Sequence, residues 1–168
     1  MATQIVYEIK GLREVLRKCD PQILAQPLKN FFQRAAITIQ NRARQNAPVD
    51  TGRLRSSIAT QVDAARPPSW AKAGTNVEYA RPMEFGTGSW SEDPESSHTP
   101  HWPPGAALDT WARRHGFGSG FQVAAAIGKR GGLKPRRYLR NAMRDSLHDI
   151  QGFLERLGKE IQVRGDGK

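Results

Sequence analysis

Asp50-Thr51-Gly52 is the first stretch of this chain whose residue types could do chemistry. In aspartic proteases an aspartate on such a tight turn shares a proton with a second carboxylate and activates water. That chemistry wants an apolar strand before the aspartate and a small residue after the glycine. Here a helical stretch and Pro48 precede it, and the cation of Arg53 follows. Turn and cap chemistry is the reading these neighbours favour. His98 and His101 have the spacing of two metal ligands, with Glu92, Asp93 and Glu95 nearby as oxygen donors. Pro100 opposes a helix between them and no cysteine is close, so a solvated or partner-facing loop is expected. Gly116, Gly118 and Gly120 lack the preceding strand and the Lys-Ser or Lys-Thr of a phosphate-binding loop. No Ser, His and Asp grouping carries a nucleophile elbow. The expectation is a protein that is not an enzyme, with no catalytic residue, no metal and no cofactor.

Charge is the stronger signal. The chain has 26 Lys and Arg against 16 Asp and Glu, a formal net charge of +10, which attracts polyanions or an acidic protein surface. Lys129, Arg130, Lys134, Arg136, Arg137, Arg140 and Arg144 fall together with no acid among them. Such a run could contact DNA phosphates without reading bases, or meet an acidic neighbour. Cations at a helix start are opposed by the helix dipole, so Arg136, Arg137 and Arg140 imply an outside reason for their presence. Glu92, Asp93 and Glu95 gather in another loop, and attraction between that loop and the basic run of a neighbouring subunit is expected.

The elements that must position these groups can be read from spacing. The 168 residues favour one domain, taken as 1–162 with a flexible tail at 163–168. The single cysteine, Cys19, allows no internal disulfide and is expected to be a small buried or half-buried side chain. No leader and no apolar run of about 20 residues is visible, so no membrane role is expected. Ile5 to Ile9 reads as a strand, and Leu12, Val15 and Leu16 as a short helical face. Asp20 stands at an N-cap and Pro21 at the first helical position. Leu24, Leu28, Phe31, Phe32, Ala35, Ile39 and Ala43 then mark one helix face ending near Asn46. Pro48 stops that helix. The turn Asp50-Thr51-Gly52 is expected to cap a short helix carrying Arg53, Leu54 and Arg55. Ile58 to Val62 and Trp70 to Tyr79 read as strands, and Met83 to Thr87 as a sheet edge or a turn leaving it. Residues 88–104 form a loop long enough to need a function or a partner. Short helices follow at Ala106 to Gly116 and Phe121 to Ile127. A second long helix carries Leu139, Met143, Ser146, Ile150, Phe153, Leu157 and Ile161 inward. The class is α+β: two long amphipathic helices packed on a small, mainly antiparallel sheet of three or four strands, with short helices and a long loop.

The sequence of residues 47–58, Ala-Pro-Val-Asp-Thr-Gly-Arg-Leu-Arg-Ser-Ser-Ile, resembles the pattern of the tail-completion, or head-tail joining, family of long-tailed double-stranded DNA bacteriophages. Gly74-Thr75, Tyr79-Ala80 and Glu84-Phe85-Gly86-Thr87 are similar to its next motifs. Pro103-Pro104, Leu108, Trp111 and Pro135 with Tyr138-Leu139 look like its weaker later ones. Arg136-Arg137-Tyr138-Leu139 departs from the usual Arg-Pro-Phe-Leu, and the loop from Gly88 to Pro104 is unusually acidic.

The resemblance implies a structural virion protein of the neck or tail, made in the host bacterial cytoplasm. It would form a ring of identical subunits, hexameric or dodecameric, around the DNA channel. Its partners would be copies of itself, the head-tail connector and tail terminator or tail-tube proteins, with genomic DNA phosphates as a further contact. On this view Pro48, Asp50, Thr51, Gly52 and Gly86 are structural turn residues. Arg53, Arg55, Glu84, Phe85, Trp90, Glu92, Asp93, Glu95 and Trp102 are candidate subunit or partner contacts. Lys129 to Arg144 is the candidate phosphate contact. For Arg53, Arg55, Glu84 and Phe85 folding of the monomer itself is an equally open role.

Overall fold

The computed structural model describes residues 19–63 and 69–166. The expected strand at Ile5 to Ile9, the face of Leu12, Val15 and Leu16, and the loop carrying Pro67-Pro68 lie outside them. Helix α1 runs Pro21–Asn46. Its start follows the sequence: the Asp20 carboxylate accepts the Gln22 N–H at 2.8 Å, an N-cap, and Pro21 occupies a position where no amide partner is needed. A five-residue α2, Arg53–Ser57, follows the Pro48 break. Strands β1, Ala59–Asp63, and β2, Trp70–Gly74, pair in a two-stranded antiparallel sheet. Next come α3, Ala80–Phe85, and a single 3-10 turn at Gly88–Trp90. Then α4, Gly105–Arg114, and α5, Gly120–Lys129, precede the 28-residue α6, Tyr138–Gly165. The class is α+β, as the periodicity predicts.

Several expectations are corrected. The strand read through Tyr79 ends at Gly74, where Thr75 and Val77 form a turn: the Val77 N–H donates to Thr75 Oγ1 at 3.2 Å. Met83 to Thr87 is not sheet; its first half is the end of α3, whose Pro82 sits in the first turn where proline is tolerated. Among the described residues the sheet therefore has two strands, the expected strand at Ile5 to Ile9 lying outside them. Cys19 is exposed, two residues ahead of α1. Met143 is exposed and Ala142 is fully buried, so the inward face of α6 begins one residue earlier than the larger side chain suggests. Helix α6 also continues through Val163 to Gly165, part of the stretch read as tail.

The described residues form two compact units. One comprises the described parts of 1–38, 60–73 and 146–168: the first part of α1, the hairpin, and the later part of α6. Ala35, Ala36 and Leu157 are buried in it, and the Phe31 and Phe32 rings meet edge to face with centroids 5.2 Å apart. The other comprises 39–59 and 74–145. Its core is Ala43, Ala47, Leu54, Ile58, Val77, Ala80, Tyr138 and Ala142, with Ile39, Met83 and Leu139 packed against it. Small residues on the helices let backbones approach closely, so Leu54, Ile58 and Tyr138 supply most of the buried volume.

Candidate functional site

All the quoted motifs fall in the second unit, and the structure shows what each residue touches. Gly52 precedes α2 with φ +80, a left-handed conformation that a side chain disfavours. The Arg53 N–H reaches Thr51 Oγ1 at 3.4 Å, so Thr51 rather than Asp50 tethers the turn. Asp50 instead pairs with the guanidinium of Arg114 on α4, with His115 Nε2 3.8 Å away. Its carboxylate thus neutralises a cation, the opposite of what a proton-sharing dyad needs. Leu54 is buried at 2% exposure while its neighbours Arg53 and Arg55 are exposed. Among the described residues neither arginine meets a carboxylate. The carbonyl of Ile58, at the end of the motif, accepts from Gln40 Nε2 at 2.8 Å and from Arg44 at 2.7 and 3.2 Å, locking the motif onto α1. Ser57 Oγ lies 2.6 Å from Thr75 Oγ1, which ties it to the Gly-Thr after β2.

Glu84-Phe85-Gly86-Thr87 grips the basic segment. The Glu84 carboxylate is 5% exposed and accepts the N–H groups of Leu139 at 2.8 Å and Arg140 at 2.9 Å. It therefore caps α6 from outside that helix, a remote substitute for a local N-cap. Backbone pairing extends the grip antiparallel: Arg136 N–H to Met83 O, Arg137 N–H to Glu84 O, Thr87 N–H to Leu133 O and Ser89 N–H to Gly131 O, at 2.9 to 3.1 Å. Gly86 has φ +77, and a Cβ there would lie 2.7 Å from Leu133 O. The motif needs glycine because another backbone passes against it. Phe85 lies under the Arg140 guanidinium, 5.4 Å from its ring centre.

The acidic loop meets the basic run within one chain. Glu92 accepts from Arg137 Nε at 2.9 Å and from Arg140 Nη1 at 2.7 Å. Hydrogen bonding from Arg137, then Arg140, holds the Glu92 carboxyl down at about 2. Here is the outside reason for cations at a helix start: Glu84 and Glu92 supply the negative charge that the dipole favours there. Asp93 and Glu95 pair with Arg81, at 2.5 Å each, and Arg81 carried no sequence signal. Hydrogen bonding to Arg81 lowers the Asp93 carboxyl. The loop at 88–104 is thereby anchored at three of its carboxylates. Trp90 donates its indole N–H to Arg130 O at 2.7 Å, and the Lys134 ammonium sits 4.6 Å from its ring centre. Trp102 is 58% exposed, and its ring lies so close to Gly128 that a Cβ there would overlap it. Arg144 pairs with Asp145. Lys129, Arg130 and Arg136 project with no carboxylate on them among the described residues.

His98 and His101 stand in an exposed stretch, and among the described residues no group of three or more His, Cys, Asp or Glu side chains is arranged around a common point. No helix among the described residues is long and apolar enough to cross a membrane. Arg81, Arg114, Gly128 and Gly132 are the positioning residues that sequence reasoning passed over.

The geometry defines a scaffold of intramolecular ion pairs with outward cations, and no proton-relay or nucleophile site is among the motifs. Residues 15–86 match the family model described as "Bacteriophage HK97-gp10, putative tail-component". This stretch, less than half of the chain, is therefore similar to a family of phage tail components, the class the motif resemblance pointed to. It contains both Val49 to Ile58 and Glu84 to Gly86. No curated protein and no solved structure matches the chain.

Proposed function

We propose that this protein is a structural part of a bacteriophage neck, closing the tail end and joining it to the head connector as a homo-oligomeric ring around the DNA channel. The family match supports a virion component of the tail. The observation that carries the finer reading is on α2. Arg53 and Arg55 flank the buried Leu54 inside the matched stretch, yet neither has a carboxylate partner among the described residues. Folding accounts for Leu54, Ser57 and Ile58 and leaves these two arginines for another molecule. A ring of identical subunits joins unlike faces, so a cationic patch on one face meets a different patch of the next copy. Arginine suits that contact because its planar fork takes a carboxylate in two parallel bonds.

The test is the doubly charge-reversed variant Arg53→Glu with Arg55→Glu, compared with the parent by sizing chromatography, negative-stain imaging and immunodetection in purified particles. The variant is expected to fold with unchanged stability and to be lost from rings and particles. A parent chain that is monomeric with its tail partners and absent from particles would sink the proposal.

A further inference from the structure

Beside the Glu84 motif the basic segment walls an open groove of about 830 Å³, in the size range of ligand-holding clefts. Its lining is predominantly apolar: half-buried Met83, Ile127, Leu133 and Pro135, with the exposed indole of Trp90. Three exposed cations, Arg130, Lys134 and Arg136, stand around it. We propose that this groove docks an acidic segment of another virion protein, one that alternates carboxylates with aliphatic or aromatic side chains. The inference rests on the assembly role proposed above for the source of that partner, and goes beyond it in naming a site and a chemistry.

Charge complementarity selects the occupant. No carboxylate among the described residues faces Arg130 or Arg136, whereas Arg137 and Arg140, which point elsewhere, are already held by Glu92. The acidic cluster of the chain itself is unavailable to a second copy, because Glu92, Asp93 and Glu95 are each bonded to arginines of their own chain. That cluster does not supply the groove's counter-charge, and the occupant proposed is a different molecule. The apolar lining then separates protein from nucleic acid. Phosphate contacts use cations alone and leave an apolar wall without a partner. Trp90 is a poor stacking platform for a base, since its N–H is tied to Arg130 O and the Lys134 ammonium lies over its ring. A peptide with alternating side chains uses both features, its carboxylates on the three cations and its apolar side chains on Met83, Ile127 and Leu133.

The groove is also set before anything binds. Leu133 is fixed through both backbone groups, its N–H to Thr87 Oγ1 at 3.0 Å and its carbonyl from the Thr87 N–H at 2.9 Å. The Arg136 N–H is held by Met83 O at 2.9 Å. A wall ordered in advance lowers the entropy lost on binding.

The experiment uses the full chain and three fluorescein-labelled probes, followed by anisotropy at moderate salt. They are an octapeptide alternating glutamate with leucine, one alternating glutamate with serine, and a short DNA duplex. The leucine peptide is expected to bind at least about tenfold more tightly than the serine peptide, and Arg130→Glu with Arg136→Glu to weaken it by about tenfold or more. Both positions are exposed, so the variant should fold, and unchanged circular dichroism and unfolding midpoint verify it. Equal binding of the two peptides would overturn the proposal by showing undirected charge attraction. Binding of the duplex with no preference for the leucine peptide would overturn it in favour of phosphate contact, and no binding of any probe would overturn it outright. None of these readouts needs a ring, so failure here leaves the assembly role standing. A monomeric chain missing from particles would sink that role without changing peptide binding.

Discussion

Glu84→Gln separates a folding role from an assembly role at the residue where the motif leaves both open. The carboxylate is 5% exposed and accepts two backbone N–H groups, of Leu139 and Arg140, at 2.8 and 2.9 Å. Glutamine keeps the volume but leaves one accepting oxygen and turns an NH2 toward the second amide. One charge-assisted bond worth about 1.5–3 kcal/mol is lost. The interaction of the charge with the start of α6, about 0.3–1 kcal/mol at exposed sites and up to about 2 when partly buried, goes with it. The expected loss is about 2–5 kcal/mol, a large share of the stability of a domain this size. Urea unfolding followed by both tryptophan fluorescence and far-ultraviolet circular dichroism measures it, with coincidence of the two curves required before a free energy is taken. A loss under about 0.5 kcal/mol, with assembly abolished, would refute the capping argument and make Glu84 an interface residue. Asp at the same position, one methylene short of both amides, should not rescue the loss.

Four further outcomes follow from the same geometry. The Glu92 carboxyl is held at about 2 by Arg137 and Arg140, below its unfolded value, so its contribution is complete above about pH 4.5 and disappears as pH falls from there toward 2. Glu92→Gln should flatten the acid limb of a stability-against-pH curve in that window, and an unaltered limb would contradict the pairing. Gly132 has φ +136 and a Cβ there would overlap the Thr87 carbonyl, so Gly132→Ala should cost more than about 2 kcal/mol in thermal or urea unfolding. Gly158→Ala, in the body of α6 with open space around it, should stabilise by about 0.5–1 kcal/mol. The Tyr138 hydroxyl is buried without a hydrogen-bond partner among the described residues, and burial and the nearby Glu84 charge push it up to about 12. Tyr138→Phe should therefore be neutral or stabilising by about 1 kcal/mol, and a clear loss on unfolding would reveal a partner for that oxygen.

What the sequence made legible is what local chemistry decides. Asp20, Pro21 and Pro48 act on their immediate neighbours, so the limits of α1 could be read directly. The pattern of α6 was long enough for its period to show. Met83 to Thr87 misled because five residues carry no period, and what folds them is remote: backbone pairing with 131–137 and two amides of α6. Ala142 displaced Met143 from the core for a related reason. Close helix packing selects a small residue, and hydrophobicity alone does not reveal closeness. At the site, the residue types were legible and their partners were not. Arg81 and Arg114 lie 12 and 64 residues from the acids they bind, and nothing in spacing predicts such pairs.

The structure also changes how the net charge bears on assembly. Of the acids that the motifs and the loop present, Asp50, Glu84, Glu92, Asp93 and Glu95 are all bonded within the chain. The excess of 26 cations over 16 anions therefore leaves arginines such as Arg53, Arg55, Arg130 and Arg136 exposed with no carboxylate on them among the described residues. Identical subunits at +10 repel one another across every interface, and that repulsion grows with the number brought together. In the ring we propose, Arg53 and Arg55 meet the next copy, while Arg130 and Arg136 are left for counter-charge from a different acidic protein. Salt shortens the range of the repulsion to about 8 Å at physiological ionic strength but leaves adjacent subunits within reach of it. On that proposal an acidic partner at Arg130 and Arg136 would favour ring closure, and sizing the chain alone and with such a partner tests it.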